Sequence, residues 1–396
     1  MTSHVQPPIP AASLPEEASP VREAPVRRAR FSLAPDLVDL QRAAHRRQVA
    51  NIRINTDVVT EARNRFDKLV KGLQADDYMY ADEAEEAEAR CMIVAAPSGA
   101  GKSHVLRRLR EHSALVPFKD AFGTVRPLVA IKAPSPCTLR TLGLRLYEAM
   151  TGKTLPGSMK EHEVWVRVRA QIEAQLVSVV MIDEFHHAFM RRTDDERRSL
   201  VETLKNLVIP DPHDPLRPPG AEMRPVLLVL SGMPWMTKVI DRDFQLRRRG
   251  VLVPIKPLGA SAKDIRKATK FLQLVEGKLG FPEPSGLDDI DMVRRMLKAS
   301  NGYTGRMMAL VKEAAFLAIQ AGARRLDLKD HLAAVFEEIF QVGPKRNPFL
   351  VADISTCPKL PEAEFLKLTL LRGSALNEEE AAAGEVLAAA NEEERP

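Results

Sequence analysis

Cysteine is scarce: Cys91, Cys137 and Cys357 are the three in 396 residues, and no two stand in C-x-x-C spacing. That excludes a disulfide framework and a cysteine-rich zinc site, and it fits work in a reducing compartment, the cytoplasm. No apolar run reaches membrane-spanning length, and the N-terminal residues carry proline and glutamate where a secretory signal needs an apolar core. No membrane partner is expected. A nucleophile elbow is missing, so nothing points to acyl transfer. Charge of either sign nearly cancels, 58 Lys and Arg against 53 Asp and Glu, a formal +5 that is compatible with a polyanionic partner without indicating one. The length suffices for one α/β domain and a smaller one, with tails.

What is present centres on Cys91 to Ser103, CMIVAAPSGAGKS. The apolar run Cys91 to Ala96 reads as a strand buried on both faces, and Val105, Leu106 and Leu109 follow at helical spacing. A strand-to-helix loop of this composition is a phosphate cradle. Backbone N–H groups and the helix dipole favour an anion, Lys102 reaches β/γ-phosphates, and Ser103 is a ligand for Mg²⁺. Pro97, Ser98, Gly99, Ala100, Gly101, Lys102, Ser103 and His104 are therefore the expected nucleotide contacts. Ala96 stands where the usual G-x-x-x-x-G-K-[ST] pattern begins with glycine, so the entering turn must tolerate a Cβ.

In chain order, residues 1–35 are proline-rich and read as a disordered arm. Residues 36–90 read as a helical extension and linker. Arg42, Arg46, Arg47 and Arg53 stand in it before a helix striped by Val58, Val59, Ala62, Phe66, Leu69, Val70 and Leu73. That helix should pack on the nucleotide domain, and seven carboxylates between Asp76 and Glu88 follow it. Residues 91–258 alternate strands and helices. Further strands are expected at Pro127–Ile131, Val177–Ile182, Val226–Leu230 and Val251–Ile255, which argues a parallel sheet covered on both faces. A proline-dense loop is expected from Pro210 to Pro225. Residues 259–343 carry only helical periodicity, and residues 344–396 read as a mostly disordered acidic tail.

Asp183 and Glu184 end the third strand, at the edge where ligands bind in open α/β sheets. Asp183 is the expected Mg²⁺ holder, and Glu184 the group that orients and polarises water attacking a γ-phosphate. Ser231, ending the fourth strand, is aimed at the same edge, where it would bond the γ-phosphate or that water; an ordinary helix cap is the plainer reading. His186 and His187, adjacent on an expected helix, should point about 100° apart and so not share a metal. Arg248 and Arg249, in the run Gln245 to Arg249, are candidates for insertion into a neighbouring subunit's site, where an arginine stabilises transition-state charge. Arg306, opening a helix after Gly302-Tyr303-Thr304-Gly305, is placed to reach back over the phosphates.

APSGAGKS, VVMIDE, Ser231, the Gln245–Arg249 run and Gly305-Arg306 occur in the order of the AAA+ ATPases, which the chain resembles over about residues 45–340. More narrowly, IRINTDVVTEA, DEFHH, LSGMPW and QLRRR resemble the TniB/TnsC family of bacterial transposition regulators. The resemblance implies an α/β AAA+ (P-loop NTPase) sheet with a helical lid and Mg²⁺-dependent ATP hydrolysis. It also implies a homo-oligomer, ring or filament, on double-stranded DNA, and recruitment of a DDE transposase with an adaptor that selects the target. For the DNA contacts, the polar turn Thr151 to Lys160 offers Lys153 and Lys160. Two other readings share the nucleotide chemistry: a loader of a replicative helicase, and an assembly module with little turnover. A superfamily-two helicase, suggested by D-E-x-H, would need a second α/β domain where this chain turns helical.

Overall fold

The computed structural model describes residues 36–79, 91–190, 193–208, 226–240 and 250–370. By contact the chain divides between Gln41 and Arg42. The described part of the first unit, 36–41, is the start of helix α1 (Leu37–Ala50), where Asp36 Oδ1 accepts a 2.6 Å bond from the Asp39 N–H. The second unit, from Arg42 on, holds the other described residues.

Helix α2 (Asp57–Met79) leads to strand β1 (Cys91–Ala95), the loop, and helix α3 (Lys102–Arg110). A short hairpin of β2 (Phe118–Lys119) and β3 (Thr124–Val125) precedes β4 (Leu128–Lys132), α4 (Leu139–Thr151), α5 (Glu161–Ala174) and β5 (Val179–Asp183). After a 3-10 turn, Phe185–Phe189, come α6 (Asp194–Val208), β6 (Leu227–Gly232), α7 (Trp235–Ile240) and β7 (Gly250–Pro254). The five long strands form one all-parallel sheet in the order β4-β5-β6-β1-β7. The order places β1 next to β6, so the chain crosses over from β1 to the far edge and returns. The loop after β1 and the carboxylates ending β5 then flank β6 at one edge, the usual ligand position.

Both faces are covered, which is why these strands lack polar alternation. On one side Ile93, Ile131 and Ile182 pack with Leu142, Leu146, Trp165 and Val168 of α4 and α5; on the other Met92, Val94 and Val229 pack with Val59, Phe66 and Val70 of α2 and Leu106 of α3. The expected stripe of α2 thus faces the sheet.

A helical region follows: α8 (Ala262–Leu279), α9 (Ile290–Ala299), α10 (Thr304–Ala321), a π-helical turn at Leu328–Ala333, and α11 (Ala334–Phe340). Its core also takes Val49, Ile52 and Ile54 from the approach to α2. One expectation is corrected here. Residues 344–370, read as part of a disordered acidic tail, are folded: Phe349, Leu360, Phe365 and Leu368 are buried in the helical core and the segment ends in α12 (Lys367–Leu370). Sparse apolar residues in 3-10 turns carry no helical period, so composition hid them. The arm 1–35, the carboxylate run beyond Met79, the loop 210–225, Arg248 and Arg249, and the tail 371–396 lie outside the described residues. No helix among the described residues is long and apolar enough to cross a membrane.

Candidate nucleotide site

The loop leaves β1 with Ala96 N–H donating to Gly232 O of β6 at 3.1 Å, which continues the ladder; Ala96 does not take a positive φ, so its backbone accommodates a Cβ. Gly99 (φ 72°) and Gly101 (φ 112°) take left-handed conformations that a side chain would strain. Lys102 is 4% exposed; its ammonium donates to Ala96 O at 3.1 Å and Pro97 O at 3.3 Å and stands 3.7 Å from Glu184 Oε1. Glycine conformations and lysine anchoring together leave the loop N–H groups to form an anion cradle.

A cavity of about 690 Å³ opens over this loop. Ser98 to His104 line it together with Lys132, Asp183 and Glu184; Pro97 is half-buried beside it. Elsewhere it is lined by Ile52 and Ile54 from the approach to α2, by Val58 of α2 and by Phe271, Met308 and Phe316 from the helical region, with charged Arg53 and Lys312 among them. Lys312 Nζ ties the two sides by donating to Ala50 O at 2.7 Å and Ile52 O at 3.2 Å, and Arg46 lies over the Phe316 ring at 5.2 Å. Met308, Lys312 and Phe316 were not foreseen as lining: Met308 falls on the apolar period of its helix and reads as core, and nothing in the local pattern singles out Lys312 or Phe316. His104 faces the cavity but its Nε2 is paired with Ile54 O at 3.0 Å, and burial holds its pKa below the usual range. The Ser103 hydroxyl and the Asp183 carboxylate are hard oxygen donors on one cavity wall, a donor set that suits Mg²⁺.

The carboxylate turn is strained. Glu184 has φ 55°; its N–H donates to Asp183 Oδ1 at 3.0 Å, and the same oxygen accepts a hydrogen bond from the Ser231 hydroxyl. Ser231 is fully buried, and its Oγ lies 3.3 Å from the Glu184 N–H. Its hydroxyl is thus spent on the Asp183–Glu184 turn and does not line the cavity, a correction to the expected bond with phosphate or water. The β5–β6 pairing, with Ile182 opposite Leu230, brings the next residues, Asp183 and Ser231, side by side.

Arg306 is a second correction. It does not line the cavity; its Nε donates to Ser98 O at 3.1 Å and its terminal nitrogens donate to Glu362. The histidines are a third. Residues 185–189 form a 3-10 turn rather than an α-helix, so the rings of His186 and His187 stack at 4.4 Å and 28°. One ligand atom from each and one from Glu184 lie within 4.8 Å of one another. Lys153 and Lys160 are both exposed, at opposite ends of the turn joining α4 to α5, with the Lys160 N–H donating to Glu163 Oε2 at 3.1 Å.

His186 is 6% exposed, and burial, with the positive charge of His187, Lys102 and Lys132 added, pushes its pKa from 6.5 to about 2. The neutral ring therefore forms no ion pair with Glu184, 3.3 Å from its Nδ1. Between those values the unfolded chain binds a proton that the folded chain refuses. Stability is full above pH about 6.5 and falls as pH drops below it, by about 1.4 kcal/mol per pH unit from this group. His186→Gln is expected to flatten the dependence of the thermal midpoint on pH between about 6.5 and 4.5. An unchanged slope would assign the acid sensitivity to other groups.

Residues 84–240 match the family model of an AAA domain. No curated relative matches the chain. Solved structures similar to it include the Aeropyrum pernix ORC1 protein in complex with DNA, at 16% identity over 75% of this chain and 69% of that one, TM-score 0.49. Drosophila ORC bound to DNA is 14% identical over 89% of both chains, TM-score 0.49, and the Thermotoga maritima RuvB Holliday junction branch migration motor 13% identical over 81% and 80%, TM-score 0.37. The sheet order, the loop and the matched domain together give an AAA+ P-loop NTPase fold with a C-terminal helical region.

Proposed function

We propose that this chain is an ATPase that uses bound ATP to assemble in several copies on duplex DNA, where it marks a target for a DDE transposase. The observation that carries the nucleotide half is the convergence of the glycine-shaped loop, buried Lys102, Ser103, Asp183 and Glu184 on one cavity. The loop N–H groups and Lys102 bind the phosphates. Ser103 and Asp183 hold Mg²⁺, which when bound neutralises phosphate charge. Glu184 orients the attacking water, and Ser231 positions Glu184 through Asp183. The apolar side chains of Ile52, Ile54, Met308 and Phe316 receive the base, so the approach segment and the helical region meet on one ligand. Arg248 or Arg249 of a neighbouring copy completes the site, which makes nucleotide a report of assembly.

The DNA and transposase half rests on the resemblance to the TniB/TnsC family, in which IRINTDVVTEA and DEFHH supply residues of this same cavity and its flank. Lys153 and Lys160 are the proposed phosphate-backbone contacts, sequence-independent and salt-sensitive. A helicase-loader role shares all of this but the partner. Electron microscopy of the full chain with duplex DNA and a slowly hydrolysed ATP analogue is expected to show DNA-bound rings or filaments. Absence of any DNA-bound assembly would overturn the reading. Pull-down on the assembled protein, transposase against replicative helicase, decides between the two roles.

A further inference from the structure

Arg306 is a fully buried cation. Its hydrogen bonds go to the loop backbone and to one carboxylate: Nε to Ser98 O at 3.1 Å, Nη1 to Glu362 Oε1 at 3.2 Å and Nη2 to Glu362 Oε2 at 2.6 Å. The guanidinium lies over the rings of Phe365 at 3.9 Å and Tyr303 at 4.6 Å. Asn301 Nδ2 gives the Glu362 carboxylate a further bond, at 2.9 Å. The Arg306 stem lies against the loop itself, its Cγ 3.2 Å from where a Cβ on Gly99 would stand. A planar fork that grips a carboxylate with one edge and a carbonyl with Nε holds its two partners in fixed register. Here one partner is the loop and the other is the segment that follows the helical region.

We propose that Arg306 and Glu362 are a brace that fixes the Ser98–Gly99 part of the loop from outside the cavity, so that residues 344–370 are a working part of the nucleotide site. This rests on the reading of the loop as a nucleotide site. Both are positioning residues: Arg306 touches the loop and Glu362 holds Arg306, and neither lines the cavity. The brace keeps the loop N–H groups in the conformation that phosphate needs, and its loss is felt in binding before chemistry.

Two measurements on the full chain test it. Hydrogen exchange without nucleotide is expected to show faster exchange at the amides of 98–101 in Glu362→Ala than in the wild type, beyond any change in the sheet. ATP with magnesium, titrated by calorimetry, is expected to bind Glu362→Ala about tenfold more weakly, with KM raised and kcat little changed. Glu362→Asp should recover part of the loss. Arg306→Lys should not, because donors on one tetrahedral nitrogen cannot reproduce the spacing of Nε and the two Nη atoms that reach a carbonyl on one side and a carboxylate on the other. Unchanged loop exchange and ATP affinity with only a lower thermal midpoint would make the pair merely structural and overturn the brace. So would an Arg306→Lys protein that lost kcat at unchanged affinity. If the wild type bound no ATP, the nucleotide reading would fail and the exchange result would still decide whether the brace exists.

Discussion

Gly305→Val is expected to abolish nucleotide binding and destabilise the junction of the loop and the helical region. Gly305 lies in the first turn of α10 with its Cα against the loop backbone. A Cβ there would stand 2.6 Å from Ala100 C and 2.7 Å from Gly101 N, and closer still to Gly99 O. Those are backbone atoms, which cannot swing aside as a side-chain end would. Either α10 retreats, taking Arg306 off Ser98, or the loop shifts and its N–H groups leave their cradle. Overpacking of this kind costs about 1–3 kcal/mol, and more where backbone must move. Gly302→Ala should do similar harm one turn earlier. Its φ of 79° suits glycine, its Cβ would meet the Leu258 backbone, and its N–H and C=O join Leu297 O and the Leu258 N–H at 2.9 Å each. Calorimetric titration and thermal melts of both variants check this. Near-normal ATP affinity in Gly305→Val would show that the loop and the helical region are not mutually seated.

The sheet was legible because its three central strands are buried on both faces, so apolar runs such as Val179 to Ile182 stand out without their partners. Their polar ends were legible for the same reason: a run that stops in Asp183-Glu184 or Ser231-Gly232 marks the ligand edge. What those ends do was not. Ser231 is spent on Asp183 because β5 and β6 are neighbours in a particular register, which no local pattern encodes. Arg306 was placed correctly at the start of a helix, but its partner is Glu362, 56 residues on, in a segment whose acidic composition resembled a solvated tail. The β2–β3 hairpin has two-residue strands, too short for any period. The stacked histidines depend on a 3-10 turn, and helical spacing is the wrong ruler there.

Separating binding from hydrolysis gives the second large effect. Lys102 contributes buried positive charge at the loop, and Lys102→Ala removes the one side chain that links Ala96 O, Pro97 O and Glu184. Nucleotide binding should fall below detection, and DNA-dependent assembly with it. Glu184→Gln keeps shape and some hydrogen bonding but cannot polarise water. Hydrolysis should drop about 10²- to 10³-fold while ATP stays bound and assemblies persist. A module with little turnover would show slow hydrolysis in the wild type that Glu184→Gln leaves unchanged. The decisive measurement is a calorimetric titration of ATP with magnesium into Lys102→Ala and Glu184→Gln side by side. The loop-centred site predicts no heat of binding for the first and near wild-type affinity for the second; wild-type affinity in Lys102→Ala would contradict it.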